Sequence, residues 1–172
     1  GQDGANLARH YDVVVVETNH RLNIFGFLYL GEVAGEEYKT SGNNGMLDIV
    51  EGLRWVSQNI AQFGGDPNNV MICGESGGGY KTSILYGMPL AAPYFNKASI
   101  ESGPGLRVNS LETATMVTDL VMKDLGVAKN DWRKLLEMPA DQLFAVQGRI
   151  NTLLAGHTLK KGERFGFAPV VD

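Results

Sequence analysis

The sequence predicts an α/β fold: a mostly parallel central sheet with helices on its faces. Three observations carry that prediction. Residues 12–18 hold four consecutive valines, Val13 to Val16, the pattern of a strand covered on both faces. From Met46 to Phe63, apolar residues recur every three or four positions, as in a crossover helix between parallel strands. A second apolar run, Val70 to Cys73, ends abruptly in Gly74-Glu75-Ser76-Gly77-Gly78 and passes into a segment able to start a helix. Strand, helix, strand and helix in that order belong to a parallel sheet.

Taken in order, residues 1–11 are polar and read as a loop tail or short helix leading into the strand at Asp12–Thr18. Arg21 follows it, suited to a structural ion pair or a clamp on carbonyls. Residues 31–45 are rich in Gly, Glu, Ser and Asn and read as a long loop. Met46 then opens the helix, its apolar face formed by Met46, Ile49, Val50, Leu53, Val56 and Ile60, and continuing to Phe63. Glu51 and Arg54 are spaced to pair on its outer face. Gly64-Gly65-Asp66-Pro67 ends the helix and returns the chain to the sheet.

After Val70–Cys73, a small-residue helix from Gly77 to about Tyr86 can lie close to the sheet, and Pro89 stops it. Lys97–Glu101 is the next strand. Ser102-Gly103-Pro104-Gly105-Leu106-Arg107 follows at its carboxyl end, where α/β sheets place ligand contacts. Ser102, Gly103 and Leu106 are therefore candidates to line an acyl pocket, against the plainer reading of an ordinary turn. Beyond this the chain is helical. Ser110 caps a helix running to Leu125 and ended by Gly126, a short helix spans Asp131–Met138, and Pro139 opens a longer one.

The chain has 172 residues, 44% hydrophobic and 20% charged, ordinary for a globular protein. A net charge of −4 without a basic run argues against nucleic acid or an anionic membrane as partner. No apolar run reaches the ~18 residues of a membrane span. Cys73 is the single cysteine, so no internal disulfide forms, and its place at a strand end suggests an inert core thiol. No metal-ligand spacing or internal repeat is found, and no Asn-x-Ser/Thr site.

The chemistry concentrates at Ser76. A hydroxyl is a weak nucleophile and must be held clear of its surroundings within reach of a base. A strained strand-to-helix turn does this, with the serine at positive φ and small residues at Gly74 and Gly78 letting the turn close. The first amides of the following helix lack intrahelical partners and sit at the positive end of its dipole, so the Gly77 N–H would face an oxyanion formed by attack of Ser76. Two other readings compete. Lys81-Thr82 suggests a phosphate-binding loop, but that motif needs glycines at 80 and 75, where the chain has Tyr80 and Glu75. The other is a plain Gly-rich turn with a surface serine.

The flanking residues bear on that choice. Phe63-Gly64-Gly65-Asp66-Pro67-Asn68-Asn69-Val70-Met71-Ile72-Cys73-Gly74-Glu75-Ser76-Gly77-Gly78 resembles the nucleophile signature of the type-B carboxylesterases, the family that includes the cholinesterases. Val13 to Val16, Asn19-His20-Arg21-Leu22 and Phe25-Gly26-Phe27-Leu28 resemble its upstream strand block, and Asn44-Gly45-Met46-Leu47-Asp48 with Leu53-Arg54-Trp55-Val56 its crossover helix. Ser99-Ile100-Glu101-Ser102-Gly103 and Phe167-Ala168-Pro169-Val170-Val171-Asp172 resemble two later segments. The likeness is dense from about Asp12 to Arg107 and sparse afterwards.

That resemblance implies an incomplete α/β-hydrolase fold. Residues 1–172 would be part of one longer catalytic domain, with core strands and elbow at 12–107 and a helical wall or cap segment at 108–165. It implies carboxylic-ester hydrolysis through an acyl-enzyme on Ser76, with the Gly77 amide in the oxyanion hole, no cofactor and no metal, and a small-molecule ester as partner. Glu75 would be a buried, hydrogen-bonded support behind the elbow rather than the triad acid. His20 would be a packing residue, and His10 and His157 would have no catalytic role. The triad acid and histidine would follow Asp172, and a Gly-Gly oxyanion loop would precede residue 1, so the isolated fragment is expected to be inactive. Glu101 departs from the family pattern, which carries glutamine there, and Gly77 stands where many members have alanine. The rival reading is a cholinesterase-like adhesion or binding module that keeps the fold without catalysis. Compartment and oligomeric state are not readable from these residues.

Overall fold

The computed structural model describes residues 3–164 and 166–171. Asp172, the last residue of the segment 167–172 that resembles the family, lies outside the described residues. In chain order the elements are α1 (Ala5–Tyr11), α2 (Asn23–Phe27), α3 (Gly31–Ala34), α4 (Asn44–Asn59), β1 (Met71–Glu75), α5 (Gly77–Gly87), β2 (Lys97–Glu101), α6 (Leu111–Asp124), α7 (Lys134–Glu137) and α8 (Ala140–Leu153). They divide into two compact units. One takes in the chain up to His20 together with Leu47–Leu106; the other takes in Arg21–Met46 and the chain from Arg107 onward.

The first unit carries the sheet. β1 and β2 pair in parallel, with Met71 opposite Lys97 and Glu75 opposite Glu101. The pairing starts where Asn96 and Val70 exchange bonds: the Asn96 side-chain oxygen accepts from the Val70 N–H at 2.9 Å and the Val70 carbonyl from the Asn96 N–H at 2.8 Å. α5 connects the strands and packs on the face bearing buried Ile72 and half-buried Gly74. The opposite face, with Met71, Cys73 and Glu75, is open to solvent. Cys73 is consequently an exposed thiol and not the core thiol expected from the sequence. Alternation along a strand puts it on the uncovered side.

α4 begins two residues before Met46 and continues as a tighter turn over Ile60–Phe63. Leu53, Val56 and Ile60 are buried as the periodicity requires, whereas Phe63 stays exposed against Trp55, ring centroids 5.8 Å apart. The four-valine segment departs most from expectation. Residues 12–22 form no strand, and Val13 to Val16 are 36–44% exposed. A β-strand exists through its ladder and its covered faces, and among the described residues the sheet has only β1 and β2.

The second unit has its own helical core. Ile24 of α2, Val117 and Val121 of α6, and Val146 and Ile150 of α8 pack together with Trp132. Residues 31–45, expected as loop, coil into α3 and two further single turns at Glu36–Tyr38 and Ser41–Asn43. Buried Asn43 ties this region to the far end of the chain: its amide donates to the Val170 carbonyl at 2.8 Å and its oxygen accepts from the Val170 N–H at 2.9 Å. Near the end of the described residues a single parallel bridge joins Val170 to Asn109. Ser110 caps α6 as expected, its hydroxyl accepting from the Thr113 N–H. Glu163 reinforces that cap. Its carboxylate accepts from the Ser110 N–H at 2.9 Å, the Thr113 hydroxyl at 2.7 Å and the Lys160 N–H at 3.0 Å. Partial burial on its own would raise the Glu163 pKa; the bonds from Ser110, Thr113 and Lys160 outweigh it and bring it down to about 2.

Candidate active site

The turn at Ser76 is built from the ends of two parallel strands. Ser76 joins β1 directly to α5 with φ 52 and ψ −113, a conformation that costs a non-glycine residue on the order of 1–3 kcal/mol. Two backbone bonds hold it there. The Ser76 N–H donates to the Glu101 carbonyl and its own carbonyl accepts from the Tyr80 N–H, both at 2.9 Å. The residue is exposed.

Glycine is required on two sides of this turn by close approach. A Cβ at Gly74 would lie 2.3 Å from the Gly78 carbonyl carbon, and one at Gly103 would lie 2.0 Å from the Ser76 carbonyl oxygen. The demand on Gly78 is weaker than the sequence suggests, since a Cβ there meets nothing within 4 Å. Space is needed on the strand side of the turn, where the helix backbone comes down upon it.

The other candidate residues fall as follows. Gly77 is the first residue of α5, so its N–H is among the helix amides without an intrahelical acceptor. Ser102 follows β2 directly and also has a positive φ, 55, which turns the loop so that Gly103 lies against the Ser76 backbone. Leu106, at the far end of the same loop, is 90% exposed. Glu75 is exposed and not a buried support, because it lies on the uncovered sheet face in register with Glu101. His10 is exposed on α1, and His157 is exposed in the second unit, its N–H bonded to the Leu154 carbonyl.

Sequence reading passed over two features. The tripeptide Glu-Ser-Gly occurs at 75–77 and again at 101–103, at the same register of paired strands, each serine at positive φ. That repeat was a usable signal. The second feature is electrostatic. The Lys81 ammonium donates to the Gly77 carbonyl at 3.4 Å. The ring nitrogens of His20 are shielded from solvent. Burial, then the Lys81 charge, push the His20 imidazole below its usual range, and Asp48 partly opposes them. Among the described residues, no group of three or more His, Cys, Asp or Glu side chains could hold a metal ion, and no helix is long and apolar enough to cross a membrane.

The chain is 41% identical over 142 residues to para-nitrobenzyl esterase of Bacillus subtilis, covering 83% of this chain and 28% of that protein. It is 44% identical over 124 residues to carboxylesterase 3B of Mus musculus, covering 72% of this chain and 19% of that one. Among solved structures, carboxylesterase EST55 of Geobacillus stearothermophilus superposes with a TM-score of 0.84 at 40% identity, over 98% of this chain and 33% of that one. The chain thus spans about a third or less of the length of these relatives, and its fold is an incomplete α/β fold of their type. Residues 2–172 match the Carboxylesterase family from one end to the other, and the chain belongs to that family.

Proposed function

We propose that this chain carries the nucleophile of a serine carboxylesterase, with Ser76 as the attacking residue. The observation that supports this most is the Ser76 backbone: positive φ, solvent exposure and placement directly before the first amides of α5. Strain of that kind persists only where surrounding bonds impose it, here those to Glu101 and Tyr80.

In this reading the Ser76 hydroxyl oxygen attacks the carbonyl carbon of a small-molecule ester while a histidine base accepts its proton. Negative charge moves to the carbonyl oxygen, where the Gly77 N–H receives it; one such donor is worth about 10²–10³ in rate. Collapse expels the alcohol, protonated by that histidine, and leaves an ester on Ser76. Water, deprotonated by the same base, then releases the acid and restores the hydroxyl. By the family resemblance, the histidine, its acidic partner and the remaining oxyanion donors come from outside residues 1–172. This chain contributes the nucleophile, one oxyanion amide and the loop after β2. Ser102 and Gly103 would border the acyl group. Leu106, with 90% of its surface free, would join them only through a neighbour that covers it.

The test is covalent labelling of the full-length protein with a fluorophosphonate, which reacts only with an activated serine. The wild type is expected to label and Ser76→Ala to lose the label. Undiminished labelling of Ser76→Ala rejects the assignment. A wild type that folds but never labels points instead to a non-catalytic binding module.

A further inference from the structure

Resting on the reading of Ser76 as nucleophile, we propose that Tyr80 is a positioning residue for acyl selectivity: its ring is the seat on which the loop after β2 rests. Loop and helix meet at two points. Gly103 lies against the Ser76 backbone, where an added Cβ would be 2.0 Å from the carbonyl oxygen. Two residues on, Gly105 lies against Tyr80. A Cβ there would be 2.4 Å from Cδ2 and 2.6 Å from Cε2 of the ring, and 3.0 Å from the Tyr80 carbonyl oxygen. Ser76 and Tyr80 are themselves one helical turn apart, joined by the bond from the Tyr80 N–H to the Ser76 carbonyl at 2.9 Å. The two glycines of the loop thus rest on successive turns of one helix start.

The two points differ in kind. Gly103 rests on backbone, which any residue at 76 supplies. Gly105 rests on a side chain, so its position depends on residue 80 being a tyrosine. The Tyr80 ring is buried, and Gly105 has no side chain to fill the space that a smaller residue would leave. In a close-packed interior the ring therefore fixes how far the loop stands from α5. Ser102, Pro104 and Leu106 are exposed while Gly103 and Gly105 are half-buried, so the glycines face the helix and the residues between them face outward. An acyl group on Ser76 has only the outer side of this loop to occupy, because α5 fills the inner side. A thinner seat lets the loop settle towards the helix and leaves the acyl group more room. A methyl at Gly105 lifts the loop off the ring and leaves less. Gly105 is not at positive φ, so an alanine there adds that methyl without backbone strain.

The test uses the full-length protein and two neutral aryl esters of one alcohol, an acetate and a hexanoate. It reads the ratio of kcat/KM for hexanoate over acetate. Tyr80→Leu is expected to raise that ratio about tenfold and Gly105→Ala to lower it about tenfold, the order of effect of one methylene of pocket space. A ratio that stays at the wild-type value, or that moves the same way in both variants, overturns the inference. Equal losses on both esters do so too, since that is what a purely structural role gives. If one variant does not fold, the other decides alone. Thermal melting checks the contact itself: ring and methyl claim the same space, so the Tyr80→Leu/Gly105→Ala double variant should melt above Gly105→Ala. A double variant that loses the sum of the two single losses overturns the seat. Ser76→Ala separates the two levels. Turnover surviving in it overturns the reading of Ser76, whereas its loss beside an unmoved ester ratio overturns only the role of Tyr80.

Discussion

Substituting Gly103 by alanine tests how the nucleophile is held. The added methyl would sit 2.0 Å from the Ser76 carbonyl oxygen, 2.7 Å from its carbonyl carbon and 3.0 Å from its Cα. All three are backbone atoms, so no side chain can swing aside. Restoring even the tightest tolerable separation, about 3 Å, requires the loop after β2 and the turn to part by about 1 Å. Both are pinned, the turn by its bonds to Glu101 and Tyr80 and the loop by the strand it leaves. Strain of this kind costs about 1–3 kcal/mol, or roughly 2–12 °C in Tm for a domain of 150–250 residues. A displacement of about 1 Å at a reacting atom costs on the order of 10² in rate. The assay is the rate of fluorophosphonate labelling in the full-length protein, alongside thermal melting. Gly148→Ala serves as control: it is exposed within α8, its Cβ would meet nothing within 4 Å, and the exchange should stabilise by up to about 1 kcal/mol without altering labelling. Wild-type labelling and melting in Gly103→Ala would refute the close-approach argument.

Three further outcomes are expected. Glu163→Gln should cost about 1–2 kcal/mol near neutral pH, the figure for a partly exposed carboxylate with several hydrogen bonds after allowance for solvent screening. Because the folded pKa is about 2 against 4.5 unfolded, that contribution is fully present above pH 4.5 and lost as the pH falls towards 2, so the two stability curves should converge in acid. His20 has the same sign for a different reason. With its folded pKa below 6.5, the unfolded chain binds the proton more readily, so stability should fall as the pH drops below about 6.5, and His20→Phe should flatten that slope in denaturant titrations. Asn43→Ala removes both bonds to Val170 and leaves two buried backbone groups unpaired; a loss of about 2–4 kcal/mol is expected, and a loss below about 0.5 would show that water replaces the amide.

Local rules made much of this protein legible before any coordinates. α4 follows from a three-to-four apolar period, the start of α6 from the capping serine at 110, and β2 from its residues at the limits expected, Lys97–Glu101. The turn at Ser76 was legible because glycine spacing and a strand-to-helix junction both act within a few residues, and its φ of 52 is what such a turn demands. Tertiary structure decided the rest. Four valines in a row promise a strand only if neighbours supply a ladder and cover both faces, and along residues 12–22 they do not. For the same reason Cys73 and Glu75 are exposed, since alternation assigns a side chain to a face but cannot say which face is covered. The approach of Gly103 to Ser76 and the pairing of Glu75 with Glu101 join residues 27 and 26 positions apart. Register and helix packing set those distances, and no local pattern encodes them.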